Sequence, residues 1–65
     1  MKNRFEAYVV YTDDSKHRLC VSLALNIAIM EINNYVKYRK NIKYVYVIKT
    51  DTNQPDQLVY RKEFI

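Results

Sequence analysis

Apolar and polar positions alternate strictly near the start of the chain. Phe5, Ala7, Val9 and Tyr11 share one parity, and Glu6, Tyr8, Val10 and Thr12 share the other. That period of two predicts a strand over 4–12. Asp13-Asp14-Ser15 then supplies residues that tolerate a tight turn without glycine. Alternation resumes over 16–23, with Leu19, Val21 and Leu23 on one face and Arg18, Cys20 and Ser22 on the other. Such a pattern reads as a half-buried second strand.

From Asn26 the period moves toward 3.6, which predicts an amphipathic helix over 26–39 with Asn26 as its N-cap. Ala28, Ile29, Ile32, Tyr35 and Val36 form its inward stripe, while Glu31, Asn33, Asn34 and Lys37 face water. Lys37, Arg39 and Lys40 complement the macrodipole at its end, and Asn41 is a fitting terminator. A competing pattern runs one long helix from Ser15 to Arg39. It would scatter Leu19, Cys20, Leu23 and Ile27 around the helix circumference, so the hairpin is preferred.

A third strand is expected over 43–50, the most β-prone run of the chain. Tyr44, Tyr46 and Ile48 alternate with Val45 and Val47, so both of its faces are apolar, as in a central strand covered on both sides. Residues 51–56, with Pro55, read as a polar turn before a fourth strand over 58–64. The fold class that follows is α+β: a small antiparallel sheet in β-β-α-β-β order with one amphipathic helix packed on one face. One helix cannot cover both faces, so a tyrosine-bearing face should stay open.

Composition narrows what such a fold could do. The 65 residues form one domain, 1–65. A chain of this size buries only about 60% of its unfolded surface and needs reinforcement from elsewhere. One cysteine and one histidine exclude an internal disulfide and an ordinary Cys/His zinc site. Self-association into a homodimer remains, with seven tyrosines as contact surface. No cofactor or metal is expected. The apolar stretch 19–32 is broken by Ser22, Asn26 and Glu31 and is too short for a bilayer. A lone cysteine and no export signal point to a cytoplasmic protein without a membrane partner.

Catalytic chemistry finds little footing. The absence of glycine excludes phosphate-binding glycine loops. His17 and Cys20 have opposite strand parity and should point to opposite faces, away from a nucleophile–base pair. Asp13 and Asp14 are a poor cation site and suffice as turn residues. The expectation is a protein that is not an enzyme.

Two binding surfaces compete instead. Tyr8, Arg18, Tyr44 and Tyr46 could lie on or near one exposed patch suited to a protein partner, with either parity of the third strand open to face outward. Lys37, Arg39, Lys40, Lys43 and Lys49, interleaved with Tyr38, Tyr44 and Tyr46, form an acid-free run fit for RNA or single-stranded DNA. The net charge of +4 permits either. The hairpin–helix–strand order and the Asn/Lys/Ile/Tyr-rich composition over about residues 4–50 resemble the small accessory proteins of tailed bacteriophages. That resemblance implies a steric inhibitor of a host protein, such as a nucleic-acid enzyme, acting in the bacterial cytoplasm. It carries over no individual residue. A nucleic-acid binder and a purely structural oligomer are the alternatives.

Overall fold

The structure, a computed structural model, describes residues 4–64. Its elements are β1 (Arg4–Tyr11), β2 (Lys16–Ser22), α1 (Leu25–Val36), β3 (Ile42–Asp51) and β4 (Gln54–Glu63). The strands form one antiparallel sheet in the order β2-β1-β3-β4, so two hairpins meet along β1 and β3. This is the expected α+β layout in β-β-α-β-β order. The single long helix from Ser15 does not form, because residues 16–22 pair with β1 instead.

Alternation along β1 and β3 divides the sheet into an aliphatic side and a tyrosine side. Ala7, Val9, Val45 and Val47 of the aliphatic side are buried in one cluster with Ala28 and Ile32 of α1 and with Ile42. Leu25, Tyr35 and Val36, on the same helical stripe, pack against that cluster. Among the described residues α1 contacts β2, β1 and β3 but not β4. Complete burial of a side chain such as Ile32 stabilises the fold by about 1.5–3 kcal/mol.

Two turn residues take the left-handed conformation that glycine would otherwise supply. Asp14 has φ 69° and Asn41 has φ 66°, both residue types whose short polar side chains tolerate it. Asp13 Oδ1 accepts hydrogen bonds from the Ser15 backbone N–H at 3.0 Å and the Ser15 hydroxyl at 2.7 Å. The Asn41 carbonyl in turn accepts the Thr12 N–H at 2.8 Å, tying the helix exit to the first hairpin.

Several sequence expectations change. The second strand ends at Ser22, and a bulge sets Leu19 as an extra residue between the pairs Tyr8–Arg18 and Ala7–Cys20. One inserted residue reverses parity. Cys20 and Ser22 therefore fall on the aliphatic side, and Val21, expected beside Leu19, falls on the tyrosine side opposite Glu6. Both Leu19 and Cys20 pack against the core, which is what the bulge achieves. The helix starts at Leu25 with Ala24 as its cap residue, not Asn26. Ser22 Oγ accepts the Ala24 N–H at 3.2 Å, so the chain turns into the helix earlier than a cap at Asn26 would require. The helix also stops at Val36, and the next turn closes with weaker bonds from Tyr38 N–H to the Tyr35 carbonyl and from Arg39 N–H to the Val36 carbonyl, each 3.4 Å.

The expected turn over 51–56 shrinks to Thr52 and Asn53, where Asp51 Oδ1 accepts the Asn53 N–H at 2.9 Å. Pro55 lies inside β4. It is tolerated because β4 is an edge strand, on which a missing N–H can face outward.

Candidate interaction face

On the tyrosine side, register brings together residues that are far apart in sequence. Arg18, Tyr8, Tyr46 and Arg61 occupy one row across β2, β1, β3 and β4. Lys16, Val10, Tyr44 and Glu63 occupy the next row. All four residues expected to form a partner-binding patch, Tyr8, Arg18, Tyr44 and Tyr46, are thus on one side of the sheet.

Their rings and cations form a continuous chain. Tyr8 and Tyr46 stack with centroids 5.2 Å apart and planes 15° apart. Tyr44 tilts toward Tyr46 at 6.0 Å. The Lys16 ammonium lies 5.4 Å from the Tyr8 ring centre and the Arg61 guanidinium 4.2 Å from that of Tyr44. Each aromatic pair contributes about 0.5–1.5 kcal/mol, and each exposed cation–π contact about 0.5–1 kcal/mol. The side chains are therefore held in place before anything binds.

The acids on this side are engaged within it. Tyr8 donates its hydroxyl to Glu6 Oε1 at 2.7 Å, and Arg61 Nε donates to Glu63 Oε2 at 2.8 Å. The hydrogen bond to Glu6, helped by partial burial, holds the Tyr8 phenol above the usual tyrosine range. Among the described residues neither Lys16 nor Arg18 forms an ion pair with a carboxylate. The tyrosine side therefore presents immobilised aromatic rings with unpaired positive charge along its β2 margin.

Lys16 and Arg61 were missed in the sequence. Lys16 lies at the start of a strand whose register depends on the turn before it. Counting straight back from the Thr52-Asn53 turn would place Val59 opposite Tyr46. Two irregularities in the β3–β4 ladder advance the register, so that Arg61 stands there instead. No local sequence signal marks those irregularities.

The five cations of the basic run do not converge. Lys37 is the cap residue of α1, Arg39 stacks on Tyr35 at 4.8 Å, and Lys40 is exposed in the following loop. Lys43 is bound to Asp14 at 2.9 Å, which raises its pKa. Lys49 pairs with Phe5, on the aliphatic side near the other end of β3. Tyr44 and Tyr46 face the opposite side from Lys49, so the run is divided between the two sides of the sheet.

The bulge in β2 also revises the view of His17 and Cys20. His17 pairs with Val9 and Cys20 with Ala7, so both fall on the aliphatic side. His17 instead sets its ring edge against Tyr11, with centroids 5.5 Å apart. Burial, with a smaller contribution from Glu31, pushes the Cys20 thiol up and disfavours the thiolate. Among the described residues no group of His, Cys, Asp and Glu could hold a metal ion. Among the described residues no helix is long and apolar enough to cross a membrane. No family model matches the chain, and no curated protein or solved structure matches it either.

Proposed function

We propose that the protein is a non-enzymatic binding module that docks a partner protein on its tyrosine side, with α1 packed against the aliphatic side. The observation that carries this reading is the chain Lys16–Tyr8–Tyr46–Tyr44–Arg61, which runs across all four strands. Rigid tyrosines beside arginine are the composition of interface hot spots, where little side-chain entropy is lost on binding. The unpaired Lys16 and Arg18 favour a partner surface that is acidic and rich in hydrogen-bond acceptors. The mode of action is steric: the docked module blocks or redirects a bacterial host protein, in line with a phage origin.

Ring geometry favours a protein over nucleic acid. A base stacks on a free ring face. Here β1 lies between β2 and β3, so Lys16 and Tyr46 approach Tyr8 from its two sides, while Arg61 covers Tyr44. To stack on Tyr8, or on the Tyr44 face under Arg61, a base would have to displace these contacts, whereas a protein can use the ring edges and hydroxyls as they stand.

The test is a pull-down from bacterial lysate, with and without nuclease, comparing the native chain with a Tyr8→Ala/Tyr46→Ala variant. The expected result is one stoichiometric protein that survives nuclease. Its affinity should fall by at least about 30-fold in the variant, the scale of a hot-spot loss of ~2 kcal/mol. Retained RNA or DNA, lost on substitution of Lys37, Arg39 and Lys40, would overturn the proposal.

A separate observation supports self-association. Leu23, just before α1, and Ile27 and Met30, one turn apart on it, remain 63%, 40% and 49% exposed. The helix they belong to or lead into packs beside β2, at the opposite sheet edge from β4 with its Pro55. Both edges carry charge that discourages strand pairing, Lys16 and Arg18 on β2 and Arg61, Lys62 and Glu63 on β4, so a second copy would meet the first along this apolar stripe instead.

A further inference from the structure

A cavity of about 290 Å³ lies on the aliphatic side, lined by Val9, Tyr11, His17, Arg18, Leu19 and Tyr35. The rings stacked on the tyrosine side do not line it; Arg18, at the β2 bulge, is the one residue the two surfaces share. Val9 is fully buried and Leu19 packs against the core, so the cavity has an apolar floor. Tyr11, at the end of β1, and Tyr35, in the last turn of α1, form an aromatic wall.

The two tyrosines are hydrogen-bonded to each other through their hydroxyls. Two hydroxyls hold two donor hydrogens, and their mutual bond uses one. The other has no protein acceptor among the described residues. The charged side chain that lines the cavity and the one stacked on its Tyr35 wall are both cations. Arg18 lines the cavity, Arg39 lies 4.8 Å above the Tyr35 ring, and the Arg39 charge reaches the Tyr11 hydroxyl. His17 stands against the Tyr11 ring. No carboxylate lines the cavity.

An apolar floor, aromatic walls and donors without an acid describe the complement of an apolar body with an anionic head. The volume equals about ten waters at ~30 Å³ each, enough for one ring and a carboxylate. It lies at the small end of ligand pockets, which start near ~300 Å³. We infer that the cavity between the β1–β2 hairpin and the end of α1 binds a small aromatic carboxylate, ring against Val9 and Leu19, acid toward the Tyr11–Tyr35 hydroxyls and the arginines.

The test is a titration of the intact chain, followed by amide correlation NMR, with benzoate, its neutral isostere benzamide, and N-acetylphenylalanine. Benzoate should move the Val9, Tyr11, Leu19 and Tyr35 resonances saturably, with a Kd on the order of millimolar for so small a ligand. Benzamide should bind at least about tenfold more weakly, the difference made by a charged hydrogen bond. Arg39→Gln and Tyr35→Phe should each weaken benzoate while leaving the rest of the spectrum in place. Tighter binding of N-acetylphenylalanine assigns the site to a chain end, and weaker binding to a free acid; either supports it. Equal affinity for benzoate and benzamide, shifts confined to the tyrosine side, or no saturation would overturn the inference.

Discussion

Asn41 shows how much a single residue settles in a chain with no glycine. Its φ of 66° lets the chain leave α1 and enter β3, while its carbonyl receives the Thr12 N–H. Replacing it with alanine keeps the Cβ clash of the left-handed region but removes the short polar side chain that offsets it, and should cost up to about 1–2 kcal/mol. Asn41→Gly, without that clash, should stay close to the native stability, and paired urea melts check both. Tyr8 and Tyr11 make a second residue-scale prediction. Hydrogen bonds to Glu6 and Tyr35, respectively, are the main reason both phenols are held above the usual tyrosine range. An acid with a raised folded-state pKa is favoured in its neutral form. Its contribution is complete below the unfolded tyrosine value of about 10 and is lost as pH rises through the folded value. Tyrosinate absorbance should therefore show a late-ionising component in the native chain, reduced in Tyr8→Phe and in Tyr11→Phe.

At the scale of elements, the bulge in β2 has the widest consequences. It turns both Leu19 and Cys20 toward the core and sends Val21 to the tyrosine side. The alternation was legible in the sequence, but the inserted residue was not, because a bulge depends on the partner strand as much as on its own residues. The helix shows the same division. Its inward stripe through Ala28 and Ile32 was legible, whereas its start was decided by Ser22, which accepts a hydrogen bond from Ala24 at the exit of β2. The exposed stripe of Leu23, Ile27 and Met30 yields the prediction proper to this scale. The native chain should elute as a dimer by size exclusion with light scattering. Ile27→Lys with Met30→Lys should elute as a monomer while keeping the native circular dichroism. A native monomer would remove the self-association reading.

For the whole molecule the margin is narrow. At 0.05–0.15 kcal/mol per residue, a chain of this length has a total stability of about 3–10 kcal/mol. Ile32 is fully buried where α1 meets Ala7, Val9, Val45 and Val47. Ile32→Ala should cost about 2–5 kcal/mol, enough to unfold much of the population at room temperature in a thermal or urea melt. Arg61→Ala removes contacts from the exposed tyrosine side, and its melt should shift far less. A comparable loss from both would mean that the tyrosine side holds the fold together as much as the core does.

What the chain carries locally could be read from it: alternation gave the strands, the change to helical period gave α1, and the lack of glycine directed attention to Asp14 and Asn41 as turn residues. That Tyr44 and Tyr46 share one parity was legible in the same way, whereas which parity of β3 turns away from the helix was not. What no local pattern contains is register. Only the paired strands place Arg18 and Arg61 in the row of Tyr8 and Tyr46. The joining of Tyr11 to Tyr35 around a cavity likewise depends on how the helix end meets the hairpin. Propensity and periodicity act over a few residues, whereas strand pairing and packing are decided by contacts between segments that meet only in the folded chain.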